Sequence, residues 1–126
     1  MSSIDPKIFK AYDIRGIYPE QINEENIVPI IRATYKFFFD AIQKEQPTVV
    51  LAYDMRLSGP QLFEAAKKTL VEMGANVIDA GKLSTPSFYF TVFHYAYDCG
   101  IQITASHNPK EWNGMKCVRY TPKGLI

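Results

Sequence analysis

One short segment carries most of the residues that could do chemistry. It reads TASHNPKEWNGMK over residues 104–116 and brings together the hydroxyl of Ser106, the imidazole of His107 and the amine of Lys116. These groups could supply a nucleophile and a proton-transfer group at one site. Each of them is more often a turn, cap or solvated residue when it stands alone. The segment by itself therefore leaves both catalysis and turn formation open.

Two arginines extend the candidate site. Arg15 lies near the N-terminus, and Arg56 lies in the segment DMRLSGP at 54–60. Arginines close to a serine suggest an anionic ligand, and phosphate is the common one because the guanidinium matches its oxygens in pairs. Either arginine could instead be an ordinary surface ion-pair partner.

The spacing of apolar and turn-forming residues predicts the elements that position these groups. Helices are predicted at 26–44, 60–73 and 87–97, the second with Ser58 as its cap and Gly74 as its stop. Strands are predicted at 8–12, 48–53, 75–79 and 100–104, a turn at 13–16 and an extended segment at 115–120. This alternation predicts an α/β fold with a mixed, largely parallel sheet flanked by helices.

The predicted fold also locates the candidate site. In open α/β sheets, ligands bind outside the carboxyl ends of the strands. The loops at 54–59 and 104–114 follow two of the predicted strands, so we expect them to open on the same edge of the sheet. Arg15 and Arg56 are expected to point towards that edge.

Composition excludes several classes of function. The chain has 126 residues, of which 47% are hydrophobic and 21% charged, and a formal net charge of +1. This is the balance of one globular domain, and without a basic run we expect no nucleic-acid or membrane partner. Cys99 and Cys117 match no metal-binding or redox spacing. With neither a signal peptide nor a long apolar run in the sequence, we expect a cytoplasmic location.

Four motifs in order resemble those of the α-D-phosphohexomutase superfamily. They are FKAYDIRG at 9–16, DMRLSGP at 54–60, TPSFYF at 85–90 and TASHNPKEWNGMK at 104–116. Within the superfamily, the bacterial and archaeal phosphomannomutase/phosphoglucomutase group is the most similar. The resemblance covers essentially the whole chain. It implies that residues 1–126 form the first, phosphoserine-bearing domain of a four-domain enzyme.

The resemblance also implies a reaction and roles for the site residues. Such an isomerase interconverts hexose 1-phosphate and 6-phosphate, of mannose or glucose, through a phosphoserine and a bound hexose 1,6-bisphosphate. Ser106 corresponds to the phosphoryl carrier and Lys116 to the proton-transfer lysine. Residues that bind substrate or phosphate correspond to Tyr12, Arg15, His107 and Asn108, and Arg56 is added to them because it is expected at the same edge of the sheet.

The chain departs from the family pattern where the other domains would contribute. The resemblance implies a Mg²⁺ ion held by a phosphate oxygen on Ser106 and by three aspartates of a DGDxDR-type loop, which this sequence lacks. The resemblance also implies a GEMSGH-type loop that recognises the sugar and an RxSGTEP-type loop that binds the second phosphate. Both are absent from this sequence. We therefore expect the chain alone to be inactive and to depend on the remaining domains. We also expect it to self-associate through its aromatic-rich surface.

Two other interpretations stay open. A phosphoglucosamine mutase is one, although the resemblance at Thr104 and Trp112 favours the phosphomannomutase side. The other is a stand-alone, non-enzymatic α/β module that binds phosphorylated ligands or a partner chain.

Overall fold

The computed structural model describes residues 4, 6–8, 14–106 and 108–126. A 3₁₀ turn at Pro6–Ile8 precedes the first strand. The helices are α1 (Ile27–Ile42), α2 (Gly59–Glu72) and α3 (Thr85–His94). The strands are β1 (Ile14–Ile17), β2 (Thr48–Tyr53), β3 (Asn76–Lys82), β4 (Cys99–Ile103), β5 (Trp112–Thr121) and β6 (Gly124–Leu125).

The strands form a mixed sheet in the order β1-β5-β4-β2-β3, with β6 paired to the far end of β5. Strands β3, β2 and β4 run parallel, whereas β5 is antiparallel to both β4 and β1. The predicted α/β fold with a mixed, largely parallel sheet is therefore confirmed.

The sheet is covered on both faces, which explains the continuous apolar run of β2. Val49 and Leu51 face one way and belong to the core that includes residues of α1 and α2. Val50 and Ala52 face the other way and pack with Phe88 and Val92 of α3. Alternate residues of one strand thus enter two separate cores.

The first two helices begin and end within two residues of the predicted bounds, whereas α3 begins two residues before the predicted start and ends at His94 rather than at residue 97. Gly74 ends α2 with φ of +90°, a conformation that favours glycine. Ser84 begins α3 by accepting a hydrogen bond from the amide of Ser87. Ser58 does precede α2, but within the described residues its hydroxyl makes no capping bond. That hydroxyl instead accepts a hydrogen bond at 2.7 Å from the side-chain amide of Asn113.

The N-terminal prediction was wrong. Ile8 lies in the 3₁₀ turn, and strand β1 (Ile14–Ile17) includes residues 14–16, which were predicted as part of a turn. Residues 9–12 of the predicted strand, and Asp13 of the predicted turn, lie outside the described residues. Antiparallel pairing with β5 makes Ile14–Ile17 extended, and this pairing depends on Gly114. A Cβ there would lie 1.8 Å from the carbonyl oxygen of Ile14, so only glycine lets β1 approach.

Candidate active site

The loops after β2 and β4 meet at one edge of the sheet, as predicted. The amide of Asp54 donates to the carbonyl of Ile103 at 3.2 Å, so the two strands end side by side. Next along the edge, the amide of Thr104 donates to the carbonyl of Gly114 on β5. Gly114 in turn pairs with Arg15 on β1. The structure therefore brings Arg15, Arg56 and the serine segment to the same edge.

Ser106 has an unusual backbone and an unusual side chain. Its φ is +57°, in the left-handed region that residues with a Cβ rarely adopt. Its amide donates to the hydroxyl of Thr104 at 3.0 Å. Its own Oγ is buried and has no hydrogen-bond partner among the described residues. A buried hydroxyl without a partner costs free energy, and one common reason for keeping it is catalysis.

Arg56 organises the loop that carries Ser106. One terminal nitrogen, Nη2, donates to the carbonyls of Ser106 and Asn108 at 2.7 and 2.8 Å. The other, Nη1, donates to the carbonyls of Pro109 and Trp112 at 2.6 and 3.1 Å. The direct phosphate contact predicted for Arg56 is not supported by this arrangement, because the guanidinium is already engaged with the loop backbone.

Asp54 links Arg56 to Thr104. Its Oδ2 accepts the hydroxyl of Thr104 at 2.6 Å and lies 3.4 Å from Nε of Arg56. Its Oδ1 accepts the backbone amide of Arg56 at 3.2 Å. The carboxylate is buried, so these donors replace the water that it would otherwise bind.

Two cavities flank Ser106. The first has a volume of about 670 Å³, and Tyr18, Leu57, Gln61 and Lys110 are among the residues that line it. The second, of about 640 Å³, lies over the start of α3 and is lined by Lys82 to Pro86 and by Lys116. Ser106 lines both cavities.

Lys116 shares the second cavity with Ser106, as its predicted role requires. It lies on β5 directly opposite Gln102 of β4, and residues in such a pair project from the same face of the sheet. The buried amide of Gln102 is fixed at that face. It accepts the hydroxyl of Thr85 at 2.9 Å and donates to the carbonyl of Leu83 at 3.0 Å.

The side chain and backbone of Asn108 form hydrogen bonds within the loop. Its side-chain amide donates to the carbonyl of Ala105 at 2.8 Å, and its backbone amide donates to the same oxygen. The other two predicted binding residues, Tyr12 and His107, lie outside the described residues. Sequence reasoning missed the structural roles of Asp54, Thr104 and Asn113. Their only signal was a polar residue directly after a strand or next to a glycine, which is weak.

Tyr18 lines the first cavity as a neutral hydrogen-bonding group. A hydrogen bond with Glu24, together with burial and the nearby negative charge, raises the pKa of its hydroxyl to about 12. The phenol therefore stays protonated near neutral pH and does not act as a base there.

The part of the chain that the structure describes does not make a metal site of its own. It contains no group of three or more His, Cys, Asp or Glu side chains that could hold a metal ion. Asp54 contacts the serine loop, and its oxygens already accept hydrogen bonds from Thr104 and Arg56. The described residues also include no helix long and apolar enough to cross a membrane.

Comparisons with known proteins match almost the entire chain. A family model described as "Phosphoglucomutase/phosphomannomutase, alpha/beta/alpha domain I" matches residues 6–124. A phosphomannomutase of Escherichia coli strain K12 is 44% identical over 111 residues, which are 88% of this chain and 23% of that protein. A phosphomannomutase of Vibrio cholerae is 42% identical over 117 residues, or 93% of this chain and 25% of that protein. The chain thus spans about a quarter of the length of these curated relatives.

Two solved structures have the same fold. A phosphoglucomutase/phosphomannomutase family protein from Burkholderia thailandensis superposes with a TM-score of 0.78 and 36% identity, covering 91% of this chain and 26% of that one. A putative phosphomannomutase from Thermus thermophilus has a TM-score of 0.78 and 25% identity, covering 86% and 24%.

Proposed function

The chain belongs to the phosphoglucomutase/phosphomannomutase family, and on that premise we propose that it is the phosphoserine-bearing domain of a phosphohexomutase. The enzyme would interconvert hexose 1-phosphate and 6-phosphate, with mannose or glucose as the sugar. Its partners would be the hexose phosphate, the hexose 1,6-bisphosphate intermediate and the remaining domains of the same enzyme.

One observation carries this proposal: the state of Ser106. Its Oγ is buried and unpartnered among the described residues, its backbone is held at a positive φ, and the residue lines two cavities. A serine that only formed a turn would gain from a hydrogen bond to its hydroxyl. A serine that carries a phosphoryl group needs its Oγ uncommitted, with space for the phosphate and for the sugar that receives it.

The proposed transfer balances at Ser106. A sugar hydroxyl oxygen attacks the phosphorus of phosphoserine, a new P–O bond forms to the sugar, and the bond between phosphorus and Oγ breaks. The proton of the sugar hydroxyl is removed and Oγ becomes a hydroxyl again. After the bisphosphate has reoriented within the site, its other phosphate is transferred to Oγ by the reverse step. Such transfers are catalysed chiefly by position and by charge on the phosphate oxygens.

We assign the proton-transfer role to Lys116, because it lines the same cavity as Ser106. Arg15, at the same edge of the sheet, is proposed as a phosphate contact. Tyr12, His107 and Asn108 keep their predicted binding roles as proposals. A magnesium ion on the Ser106 phosphate would need carboxylates from outside the described residues.

The decisive experiment is peptide mass spectrometry of Ser106 in the full-length protein after exposure to glucose 1,6-bisphosphate. We expect phosphate on Ser106 and complete loss of turnover in Ser106→Ala, with the fold unchanged because the loop lies outside both cores. Near-normal turnover in Ser106→Ala would end the carrier proposal. Assays with glucose, mannose and glucosamine phosphates then distinguish the sugar classes.

The 126-residue chain assayed alone should show no turnover above its own Ser106→Ala variant. Turnover by the chain alone would show that the residues present here suffice for catalysis. In the full-length protein, Lys116→Met should lower kcat with KM little changed, because a proton-transfer group acts mainly in the transition state. A rise in KM at unchanged kcat would instead make Lys116 a ground-state phosphate contact.

A further inference from the structure

Every N–H group of Arg56 faces an acceptor inside the chain. A guanidinium has five N–H donors in a planar fork. Four of them belong to the two Nη atoms, which contact four carbonyl oxygens of the serine loop at 2.6 to 3.1 Å. The fifth, on the buried Nε, faces Oδ2 of Asp54 at 3.4 Å, an ion-pair contact rather than a hydrogen bond. Although Arg56 also lines the first cavity, each of its donors is already directed at an acceptor of the chain.

The positive charge of Arg56 is balanced by a nearby carboxylate. Its side chain is only 8% exposed, and the carboxylate of Asp54 lies beside it. A buried cation that is paired with a carboxylate contributes little attraction to a ligand beyond the pair. A ligand phosphate would have to displace loop carbonyls to reach the guanidinium, and the loop that holds Ser106 would then lose its support.

We propose that Arg56 is the positioning residue of Ser106, acting through the loop backbone rather than on the phosphate. The four carbonyls belong to residues 106, 108, 109 and 112, so a single side chain fixes the loop backbone at four points. One of these carbonyls belongs to Ser106 itself, whose positive φ persists only while its surroundings fix it. Only the kinetic consequence of this inference rests on the proposed role of Ser106 as the phosphoryl carrier.

Replacement by lysine distinguishes positioning from phosphate binding. Lys keeps the positive charge but has a single nitrogen with three donors, so it cannot reach four carbonyls as the planar fork does. If Arg56 positions the loop, Arg56→Lys should be as damaging as Arg56→Met. If it binds phosphate, Arg56→Lys should retain most of the function of the wild type. Arg32→Lys, an exposed position on α1, is the matched control.

The structural half of the test needs no activity. In the 126-residue chain, we expect amide hydrogen exchange over residues 104–112 to accelerate at least about tenfold in both Arg56→Lys and Arg56→Met, a change of about 1.4 kcal/mol in local opening. Exchange in β2, β3 and β4 should stay as in the wild type. Wild-type protection of the loop in Arg56→Lys would overturn the proposal, and so would an equal loss of protection over the whole sheet.

The kinetic half uses the full-length protein. We expect both variants to lower kcat on the order of a hundredfold, the effect of a reacting group displaced by about 1 Å, with little change in KM for the hexose phosphate. A KM effect at unchanged kcat, or activity largely retained by Arg56→Lys alone, would return Arg56 to phosphate binding. If Ser106 proved not to carry phosphate, the exchange result would still stand, so failure of the proposed function and failure of this inference can be told apart.

Discussion

The hydroxyl of Thr104 donates to the carboxylate of Asp54 across 2.6 Å, and the same hydroxyl accepts the amide of Ser106 at 3.0 Å. Both side chains are buried, and they come from loops that are fifty positions apart in the chain. One hydroxyl thus connects the end of β2 to the backbone of the proposed phosphoryl carrier.

Removal of this hydroxyl should destabilise the chain measurably. Thr104→Val keeps the shape but deprives the Ser106 amide and the buried Asp54 carboxylate of this partner, at a cost of about 1 to 3 kcal/mol. Thr104→Ser retains the hydroxyl and is the matched control. Urea denaturation measures both, and equal stability of the Val and Ser variants would contradict the interpretation. Serine can make the same hydrogen bonds as Thr104. A threonine rather than a serine at this position is therefore weak support for the phosphomannomutase interpretation.

Gly114 should tolerate no side chain. A Cβ at this position would lie 1.8 Å from the carbonyl oxygen of Ile14, so Gly114→Ala must push β1 away from β5. We expect a loss of about 3 kcal/mol, as for other overpacked sites, and displacement of Arg15 from the edge of the sheet. Thermal unfolding measures the loss, with Glu72→Ala at the exposed end of α2 as the control. An unchanged Tm would show that β1 is not held as described.

Cys99 should be an unreactive thiol with a pH signature. Burial, with smaller contributions from the Asp98 charge and Cys117, raises the pKa of its thiol from 9.0 to about 12. Because thiolate is the reactive form, the remaining thiol in a Cys117→Ser variant should react with a disulfide reagent at pH 8 only in denaturant. The Cys99→Ser variant, in which the half-buried Cys117 is the remaining thiol, gives the reactivity of Cys117 for comparison.

The same shift fixes how Cys99 affects stability. The folded chain holds the Cys99 proton more tightly than the unfolded chain, so its contribution is complete below pH 9 and is lost as the pH rises from 9 towards 12. Chemical denaturation at pH 8 and pH 10.5 should show a larger decline for the wild type than for Cys99→Ala. Equal declines would remove Cys99 as a source of alkaline sensitivity.

The outer face of α3 should mediate self-association. The sequence 87–97 carries six aromatic residues, and the structure buries mainly Phe88 while Phe90 and Tyr95 are 60% and 59% exposed. The ring of Phe90 stacks on the ring of His94, with their centroids 4.8 Å apart. Apolar patches of this kind usually mark an interaction surface.

Sedimentation equilibrium at tens of micromolar should therefore detect a dimer or larger assembly of the 126-residue chain. Phe90→Glu should shift the chain towards monomer, whereas Val71→Glu, an exposed apolar position on α2 on the other side of the sheet, should not. A monodisperse wild-type monomer would show that α3 does not drive association under these conditions.

Local patterns were sufficient to predict the alternating elements from α1 to β4 and the edge of the sheet on which Ser106 lies. The apolar run 48–53 predicted a strand buried on both faces, and the α/β order placed the loops after β2 and β4 side by side. The aromatic segment 87–97 was predicted to be helical, and Ser84 and Pro86 do start a helix there. These features follow from side-chain period and turn chemistry, which act over a few residues.

Tertiary structure alone decided what the polar residues of the edge do. Arg56 was expected to hold phosphate but holds carbonyls fifty or more positions away, and Ser58 was expected to cap α2 but pairs with Asn113. Strand β1 is likewise extended only because Gly114 leaves space for it. A buried donor takes whichever acceptor the fold brings within about 3 Å, and no local pattern encodes a partner that distant in the chain.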